Sequence, residues 1–128
     1  MLKTEKLKLV SEWDKTFPQS EKVDHKKVTF VNRYGITLAA DLYKPKNASG
    51  KYPAIAVSGP FGAVKEQCSG LYAQTMAERG YLTIAFDPSF TGESGGSAMF
   101  NLPVSTLLSN FSINAFSISG KYSSFQAR

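Results

Sequence analysis

The sequence predicts an α/β fold with a mostly parallel sheet, and three features of the 128-residue chain support this prediction. Residues 27–43 alternate between apolar and polar positions around one turn, a pattern typical of an antiparallel hairpin. Residues 53–86 contain two short apolar runs that flank a helical segment, which is typical of a βαβ unit. Residues 98–128 continue neither pattern, so we expect an irregular or disordered tail there.

The hairpin consists of two strand-like segments, residues 27–32 and 36–43, in which apolar side chains recur at alternating positions. Asn32-Arg33-Tyr34-Gly35 separates them, and Gly35 is free to adopt the positive φ that tight turns need. A loop rich in turn-forming residues follows over positions 44–51. We therefore expect an antiparallel pair of strands in this part of the chain.

The βαβ unit begins with residues 53–58, a continuous apolar run that suits a strand buried on both faces. Gly59-Pro60-Phe61-Gly62 interrupts the run, and helical spacing follows over residues 66–79, with Gly80 as a C-terminal stop. Residues 81–86 form a second strand of the buried type. Because such units cross over in the right-handed sense, we expect the two strands to be parallel.

An N-terminal helix is predicted over residues 4–17, where Thr4 can act as the N-cap and Pro18 ends the pattern. We expect its apolar stripe to dock on the rest of the protein. The stripe consists of Leu7, Val10, Trp13 and Phe17.

Composition then divides the chain into three regions. Residues 1–23 comprise the predicted helix and a polar connector, and residues 24–97 comprise the α/β core. Residues 98–128 hold seven serines and four phenylalanines, and only Lys121 and Arg128 are charged there. The tail is therefore treated as a region separate from the core.

Charge and cysteine content exclude several classes of function. The net charge of +5 comes from lysines spread along the chain, not from the clustered basic stripe typical of nucleic-acid binding. Cys68 is the single cysteine, so neither an internal disulfide nor a cysteine-based zinc site can form. The N-terminus has no apolar run of the length of a signal peptide or membrane span. We expect a cytoplasmic protein without cofactor, metal, nucleic-acid partner or membrane contact.

Three segments of the core carry a family resemblance: KKVTFVNRYGITLAADLYKP, PAIAVSGPFGAVKEQCSGLYAQTMAERGYLTIAFD and DPSFTGESGGS. Over residues 24–97 the chain resembles the start of bacterial α/β-hydrolases, in the branch similar to dienelactone hydrolases and X-Pro-peptidase-like esterases. The resemblance implies an incomplete α/β-hydrolase fold in which the fourth strand lies between the second and the third. It also implies small-molecule ester or acyl substrates for intact members, with the nucleophile, acid and histidine placed later than Ser97.

The loop after the third strand is the part of this site that the resemblance places in the chain. In the family this loop supplies one oxyanion-hole N–H, and the match assigns that donor to Phe61. Gly59, Pro60 and Gly62 complete the loop, and Pro60 can stiffen the turn although it has no N–H to donate. The alternative interpretation is that these residues merely turn the chain from strand to helix.

Ser94 matches the Gly-x-Ser-x-Gly pattern literally, yet its context argues against a nucleophile. A nucleophile elbow needs a strand that leads directly into a sharp turn and a helix, whereas a loop separates Phe86 from Gly92. We expect the Ser94 hydroxyl to cap a neighbouring backbone group instead. His25, the single histidine, is expected at an exposed edge position, and Asp87 is expected to cap the loop that follows it.

Two further polar positions have ordinary expected roles. Lys65 and Glu66 either line a substrate opening or form a solvated pair, and the solvated pair is favoured. Cys68 lies near the start of the predicted helix, where a lowered pKa is conceivable, but a buried or half-buried cysteine is favoured because no histidine is available.

Three functional hypotheses follow. The favoured one is an N-terminal fragment of an α/β-hydrolase that is inactive alone because its triad is missing. The alternative is a non-catalytic α/β module that binds a partner through its tail, and the weakest is a minimal esterase that uses Ser94. An unpaired apolar edge at residues 54–57 would also favour self-association or aggregation.

Overall fold

The computed structural model describes residues 5–46, 50–60 and 62–96, which contain four strands and one helix. The elements are β1 (Val23–Val31), β2 (Thr37–Pro45), β3 (Ala54–Val57), α1 (Cys68–Glu78) and β4 (Leu82–Phe86). Each corresponds to a predicted element, and β1 begins at Val23 instead of Lys27. The predicted tail lies outside the described residues, and no helix within them is long and apolar enough to cross a membrane.

The strands form one mixed sheet in the order β1-β2-β4-β3. β1 pairs with β2 and β2 with β4 in antiparallel fashion, whereas β3 and β4 are parallel. This order confirms the insertion of the fourth strand that the resemblance implied. The two positive-φ glycines expected at turns are also present, Gly35 with φ of 80° in the hairpin and Gly80 with φ of 97° after α1.

Side chains alternate between the two faces of the sheet, and the faces differ in chemistry. The apolar face is defined by a fully buried cluster: Phe30, Leu38, Ala40, Ile84 and Phe86. The charged face is the side on which α1 packs, through Ala73 and Ala77 against Val23, Tyr43 and Ala85. The ionisable strand residues of this second face are His25, Lys27 and Asp41, followed by Asp87 directly after β4.

The predicted N-terminal helix is wrong: residues 5–22, here called the N-terminal segment, contain no helix. A tertiary contact uses a group that a helix would need for itself, because the Thr16 N–H donates to the Glu66 carbonyl at 3.0 Å. A local contact is also present, in which the Trp13 indole N–H donates to the Phe17 carbonyl at 2.7 Å. Phe17 is nevertheless buried, so the expectation that the apolar stripe docks holds for its C-terminal part, whereas Val10 is 48% exposed.

Gln74 on α1 fixes the end of the N-terminal segment. Its side-chain carbonyl accepts the Ser20 N–H at 3.1 Å, and its amide group donates to the Pro18 carbonyl at 3.0 Å. Gly70 allows the same helix to approach closely, because a Cβ there would lie 3.0 Å from the Phe17 ring. The N-terminal segment is thus held against α1 by both polar and apolar contacts.

Candidate active-site loops

Two loops leave the carboxyl ends of β3 and β4, which are parallel neighbours, so both begin at the same edge of the sheet. In α/β sheets this edge is where ligands usually bind. We call residues 58–67 the β3–α1 loop and residues 87–96 the β4 loop. The candidate oxyanion loop, residues 59–62, lies within the first of them.

The candidate oxyanion loop forms a tight turn. The Ala63 N–H donates to the Pro60 carbonyl at 3.0 Å, and Gly62 has φ of 82°, a conformation that favours glycine. Phe61, the predicted oxyanion donor, lies outside the described residues. At the start of the loop, the Ser58 hydroxyl oxygen is buried and makes no hydrogen bond among the described residues.

Asp87 links the two loops through its side chain, which is fully buried. One carboxylate oxygen accepts the Lys65 backbone N–H at 2.8 Å. The other accepts the Lys65 ammonium at 2.9 Å and the Glu93 backbone N–H at 3.1 Å. The expected role of Asp87 as a cap for the following loop is therefore confirmed, and the same carboxylate also binds the β3–α1 loop.

The expectation that Lys65 forms a solvated pair with Glu66 is wrong, because the Lys65 side chain is 0% exposed. Its ammonium contacts Asp87, Glu66 and Glu93, the last at 2.7 Å. Desolvation opposes the charged form, but the negative charge of Asp87 and hydrogen bonds to the three carboxylates raise the pKa of Lys65 above its ordinary value. The ammonium is therefore a permanent cation of the site.

The ion pairs continue from this lysine across the charged face. Glu93 also binds Lys27 at 2.7 Å, and Lys27 binds Asp14 at 2.8 Å. Asp14 contacts Lys15, which lies 3.1 Å from Asp41. We call this series the ion-pair network; it extends from Asp87 in the β4 loop to Asp41 in β2.

The network lowers the pKa values of two carboxyl groups, Asp14 and Glu93. For Asp14, burial favours the neutral form, but hydrogen bonds from Lys15 and Lys27 dominate and lower its pKa to about 2. For Glu93, burial likewise opposes ionisation, and hydrogen bonds from Lys27 and Lys65 lower its pKa below the usual value. Both groups are ionised at neutral pH and compensate the lysines between them.

Three acidic groups of the network also lie close enough together to suggest a metal site. Carboxylate oxygens of Asp14, Glu66 and Glu93 fall within 4.8 Å of one another. The ammonium groups of Lys27 and Lys65 are hydrogen-bonded to the same carboxylates, Lys27 to Asp14 and Glu93, and Lys65 to Glu66 and Glu93. These carboxylates therefore bind lysine side chains, and this set of groups does not suit a metal ion.

His25 is not at the exposed position that was expected. It lies within β1 at the edge of the sheet, but its side chain is only 15% exposed and contacts the rings of Trp13 and Tyr43. Its Nε2 is 2.7 Å from a carboxylate oxygen of Asp41. The histidine was expected to be solvated because its sequence neighbours Asp24 and Lys26 are charged, yet these point to the opposite face of the strand.

The Ser94 hydroxyl has the capping role that its context predicted. It donates to the Asp87 carbonyl at 2.7 Å and accepts the Ala39 N–H at 2.9 Å. The bond with Ala39 holds the β4 loop against β2, the bond with Asp87 lies within the β4 loop, and neither involves a histidine. In the described part of the chain, the side-chain partner found for His25 is Asp41, not a serine.

Cys68 differs from expectation in its exposure: it is the first residue of α1 and is exposed, not buried or half-buried. The sequence patterns did not indicate Lys15, Lys27 and Glu93, which complete the ion-pair network. One signal was available for Asp41, the partner of Lys15, because it is an acidic residue among the apolar residues Leu38, Ala39, Ala40 and Leu42 of the strand. A charge at such a position requires a buried counter-ion.

Comparison with known proteins identifies the family. The family model for X-Pro dipeptidyl-peptidase (S15 family) matches residues 34–105, more than half of the chain. The chain belongs to this S15 family. The match includes β2–β4 and both candidate loops, and it extends past Ser97, where the sequence resemblance was expected to end.

Two curated relatives support the S15 assignment. The chain is 76% identical over 91 residues to the uncharacterized protein PA2218 of Pseudomonas aeruginosa, an alignment covering 70% of this chain and 24% of that protein. It is 47% identical over 74 residues to the uncharacterized protein YcjY of Escherichia coli, covering 55% and 24%. The aligned part of this S15 chain thus spans about a quarter of either relative.

Solved structures agree with the S15 assignment and show the fold. The crystal structure of PA2218 superposes with a TM-score of 0.81 at 62% identity, covering 91% of this chain and 36% of that one. The α/β-hydrolase GrgF from Penicillium superposes with a TM-score of 0.61 at 22% identity, covering 75% and 32%. The chain therefore corresponds to the N-terminal part of an α/β-hydrolase.

Proposed function

We propose that this chain supplies the oxyanion side of an acyl-bond hydrolase and does not hydrolyse substrates by itself. The substrates of the complete site are small-molecule esters or related acyl compounds. The carrying observation is that Ser94 and His25, the side chains closest in type to a catalytic pair, are both committed to structural contacts. The loop over residues 59–62, by contrast, is held in place beside the carboxyl end of β4.

The chemistry of acyl transfer explains what this loop contributes. Attack on a carbonyl places negative charge on its oxygen, and a preorganised N–H stabilises that charge more in the transition state than in the substrate. In this proposal the Phe61 N–H is one such donor. A second donor, the nucleophile and its acid and base partners come from elements that follow β4.

The absence of independent turnover is tested on the 128-residue chain with p-nitrophenyl acetate. We expect the unchanged chain, Ser94→Ala and His25→Gln to match the rate of spontaneous hydrolysis. Turnover by the unchanged chain that disappears in Ser94→Ala would overturn the proposal and establish the minimal esterase instead.

The oxyanion role is tested in a chimera of PA2218 in which residues 24–96 of this chain replace the matching segment. We expect hydrolysis of activated esters by the chimera. Phe61→Pro, which removes the N–H, should lower kcat by about 10²–10³-fold. Phe61→Leu keeps the N–H and serves as the matched control. Equal losses in both variants would show that residue 61 acts by packing, and no turnover by PA2218 or the chimera would contradict the hydrolase function.

The remaining assignments concern the branch, location and partners. Within the wider fold, the loop sequence supports a branch similar to dienelactone hydrolases, and the composition supports a cytoplasmic protein that does not bind nucleic acid.

β3 lies at the edge of the described sheet with Ala54 and Ala56 exposed, which supports self-association of the isolated chain. Sedimentation at increasing concentration tests this; a monomer throughout would contradict it. The partner-binding alternative concerns the tail, outside the described residues.

A further inference from the structure

The two candidate active-site loops are joined at the buried carboxylate of Asp87 and by the ion pair between Lys65 and Glu93. Lys65, near the end of the β3–α1 loop, reaches this carboxylate with both its backbone N–H and its ammonium. Glu93, within the β4 loop, reaches it with its backbone N–H. Each of these bonds joins a polar hydrogen to a carboxylate oxygen, and hydrogen bonds of this kind are shorter and stronger than neutral ones.

Glycine at position 92 allows this arrangement to form. A Cβ at Gly92 would collide with the Asp87 carboxylate, and the residue has φ of 55°, in the region that favours glycine. The loop can therefore pass close enough over Asp87 for the next residue, Glu93, to donate its N–H. The contact depends on local backbone geometry as well as on charge.

Lys65 connects Asp87 to the candidate oxyanion loop, because it binds Asp87 and lies three positions after Gly62. The Ala63 N–H is bonded to the Pro60 carbonyl and the Gln67 N–H to the Val64 carbonyl, so hydrogen-bonded turns lie on both sides of this stretch of backbone. Ala63 also packs near Gly59, where an added Cβ would lie 3.0 Å from the Ala63 side chain. Displacement of Lys65 would therefore also displace residues 59–62.

We propose that Asp87 is a positioning residue for the candidate oxyanion loop and acts through Lys65. The proposal rests on the function proposed above, since the loop has a catalytic role only there. Asp87 itself does not touch substrate: its carboxylate is fully buried and its hydrogen-bond partners belong to the two loops. Its function is to hold the loop backbone in one conformation before substrate arrives.

The first test measures amide hydrogen exchange by NMR in the 128-residue chain, which requires no catalytic activity. We expect Asp87→Asn to accelerate exchange at the Lys65 and Glu93 amides at least about tenfold relative to amides of the β1–β2 pair. Asp41→Asn is the matched control, because Asp41 is equally buried and also bound to a lysine. It should leave the exchange rates of the Lys65 and Glu93 amides at their values in the unchanged chain.

A second variant distinguishes the loss of loop positioning from the effect of an unbalanced buried charge. It also provides a test if Asp87→Asn alone does not fold. Lys65→Met combined with Asp87→Asn removes both charges of the pair, a replacement that often restores stability. We expect a folded protein whose Glu93 amide and residues 62–67 still exchange faster than in the unchanged chain. Exchange rates equal to those of the unchanged chain would overturn the positioning role.

The catalytic consequence is measured in the PA2218 chimera. Asp87→Asn should lower kcat at least about tenfold while KM changes less than about twofold, because positioning of a transition-state donor affects turnover more than binding. Equal kcat in the two chimeras would overturn the proposal. If the unchanged chimera has no turnover, the hydrolase function fails, and the exchange experiment still decides whether Asp87 positions the loop.

Discussion

The two faces of the sheet are stabilised by different interactions. On the apolar face, Phe30, Leu38 and Phe86 are at most 2% exposed and pack against one another, so burial of hydrocarbon dominates. On the charged face, Lys65, Asp41 and Asp87 are as deeply buried, but each is held by an oppositely charged partner. The same depth of burial is thus reached with opposite chemistry.

The two kinds of interaction differ in how precisely they position side chains and loops. Hydrophobic contacts are non-directional, and an apolar cluster tolerates changes of shape that conserve volume. Buried ion pairs require specific geometry and contribute less net stability, because desolvation offsets much of their attraction. The charged face is also the side that connects the N-terminal segment, β1 and the two candidate active-site loops. Directional contacts therefore occur where loop position matters.

The largest expected effect comes from the apolar face. Phe30→Ala removes an aromatic side chain from the buried cluster and should lower the free energy of unfolding by about 3–4 kcal/mol. Because no charge is involved, the loss should be the same at pH 7 and pH 4 in urea denaturation experiments. Thr29→Ala, at an exposed neighbouring position, should change stability by less than about 0.5 kcal/mol. A strongly pH-dependent loss for Phe30→Ala would break the distinction between the faces.

A smaller effect is expected from Lys27 on the charged face. Lys27→Met leaves Asp14 and Glu93 without one of their cations and should cost about 2 kcal/mol at pH 7, between the values for buried and surface pairs. Lys26→Met is the matched control, since Lys26 is exposed and its side chain points away from this face. Equal stability of the two variants would show that the network contributes nothing around Lys27.

The smallest effect concerns pH and Asp14. Folding lowers the pKa of Asp14 from 3.8 to about 2, so its ionised form adds stability above pH 4 that is lost as the pH falls toward 2. Asp14→Asn should therefore cost about 1 kcal/mol at pH 5, a value reduced by the residual solvent contact of this group, and almost nothing at pH 2. Exposed Glu12 provides the control: Glu12→Gln should cost little at either pH. A constant cost for Asp14→Asn would be inconsistent with the lowered pKa.

Much of the fold was predictable because it follows from local patterns. Alternating and continuous apolar segments indicated all four strands, and Gly35 and Gly80 marked turns that need positive φ. The N-terminal helix was predicted incorrectly because Trp13 and Phe17 have helical spacing, although their burial does not require a helix. A short isolated helix gains little stability by itself. Contacts with Glu66 and Gln74 determined the conformation instead.

The candidate site was predictable only in part. Ser94 was correctly placed as a backbone cap, since the strand–turn–helix context of a nucleophile was absent from the sequence. Lys65 was not recognised as buried because its carboxylate partners are 22 and 28 positions away, apart from the adjacent Glu66. A sequence pattern reports local spacing, whereas an ion pair forms between residues that only the completed topology brings together.

The bond between the Val10 N–H and the Glu93 carboxylate joins positions 83 residues apart. At a synthesis rate of about 5–20 residues per second, Glu93 is made roughly 4–17 s after Val10. During that interval the N-terminal segment has no docking site for Val10 on the β4 loop. The N-terminal segment therefore reaches its final conformation only after the β4 loop has been made.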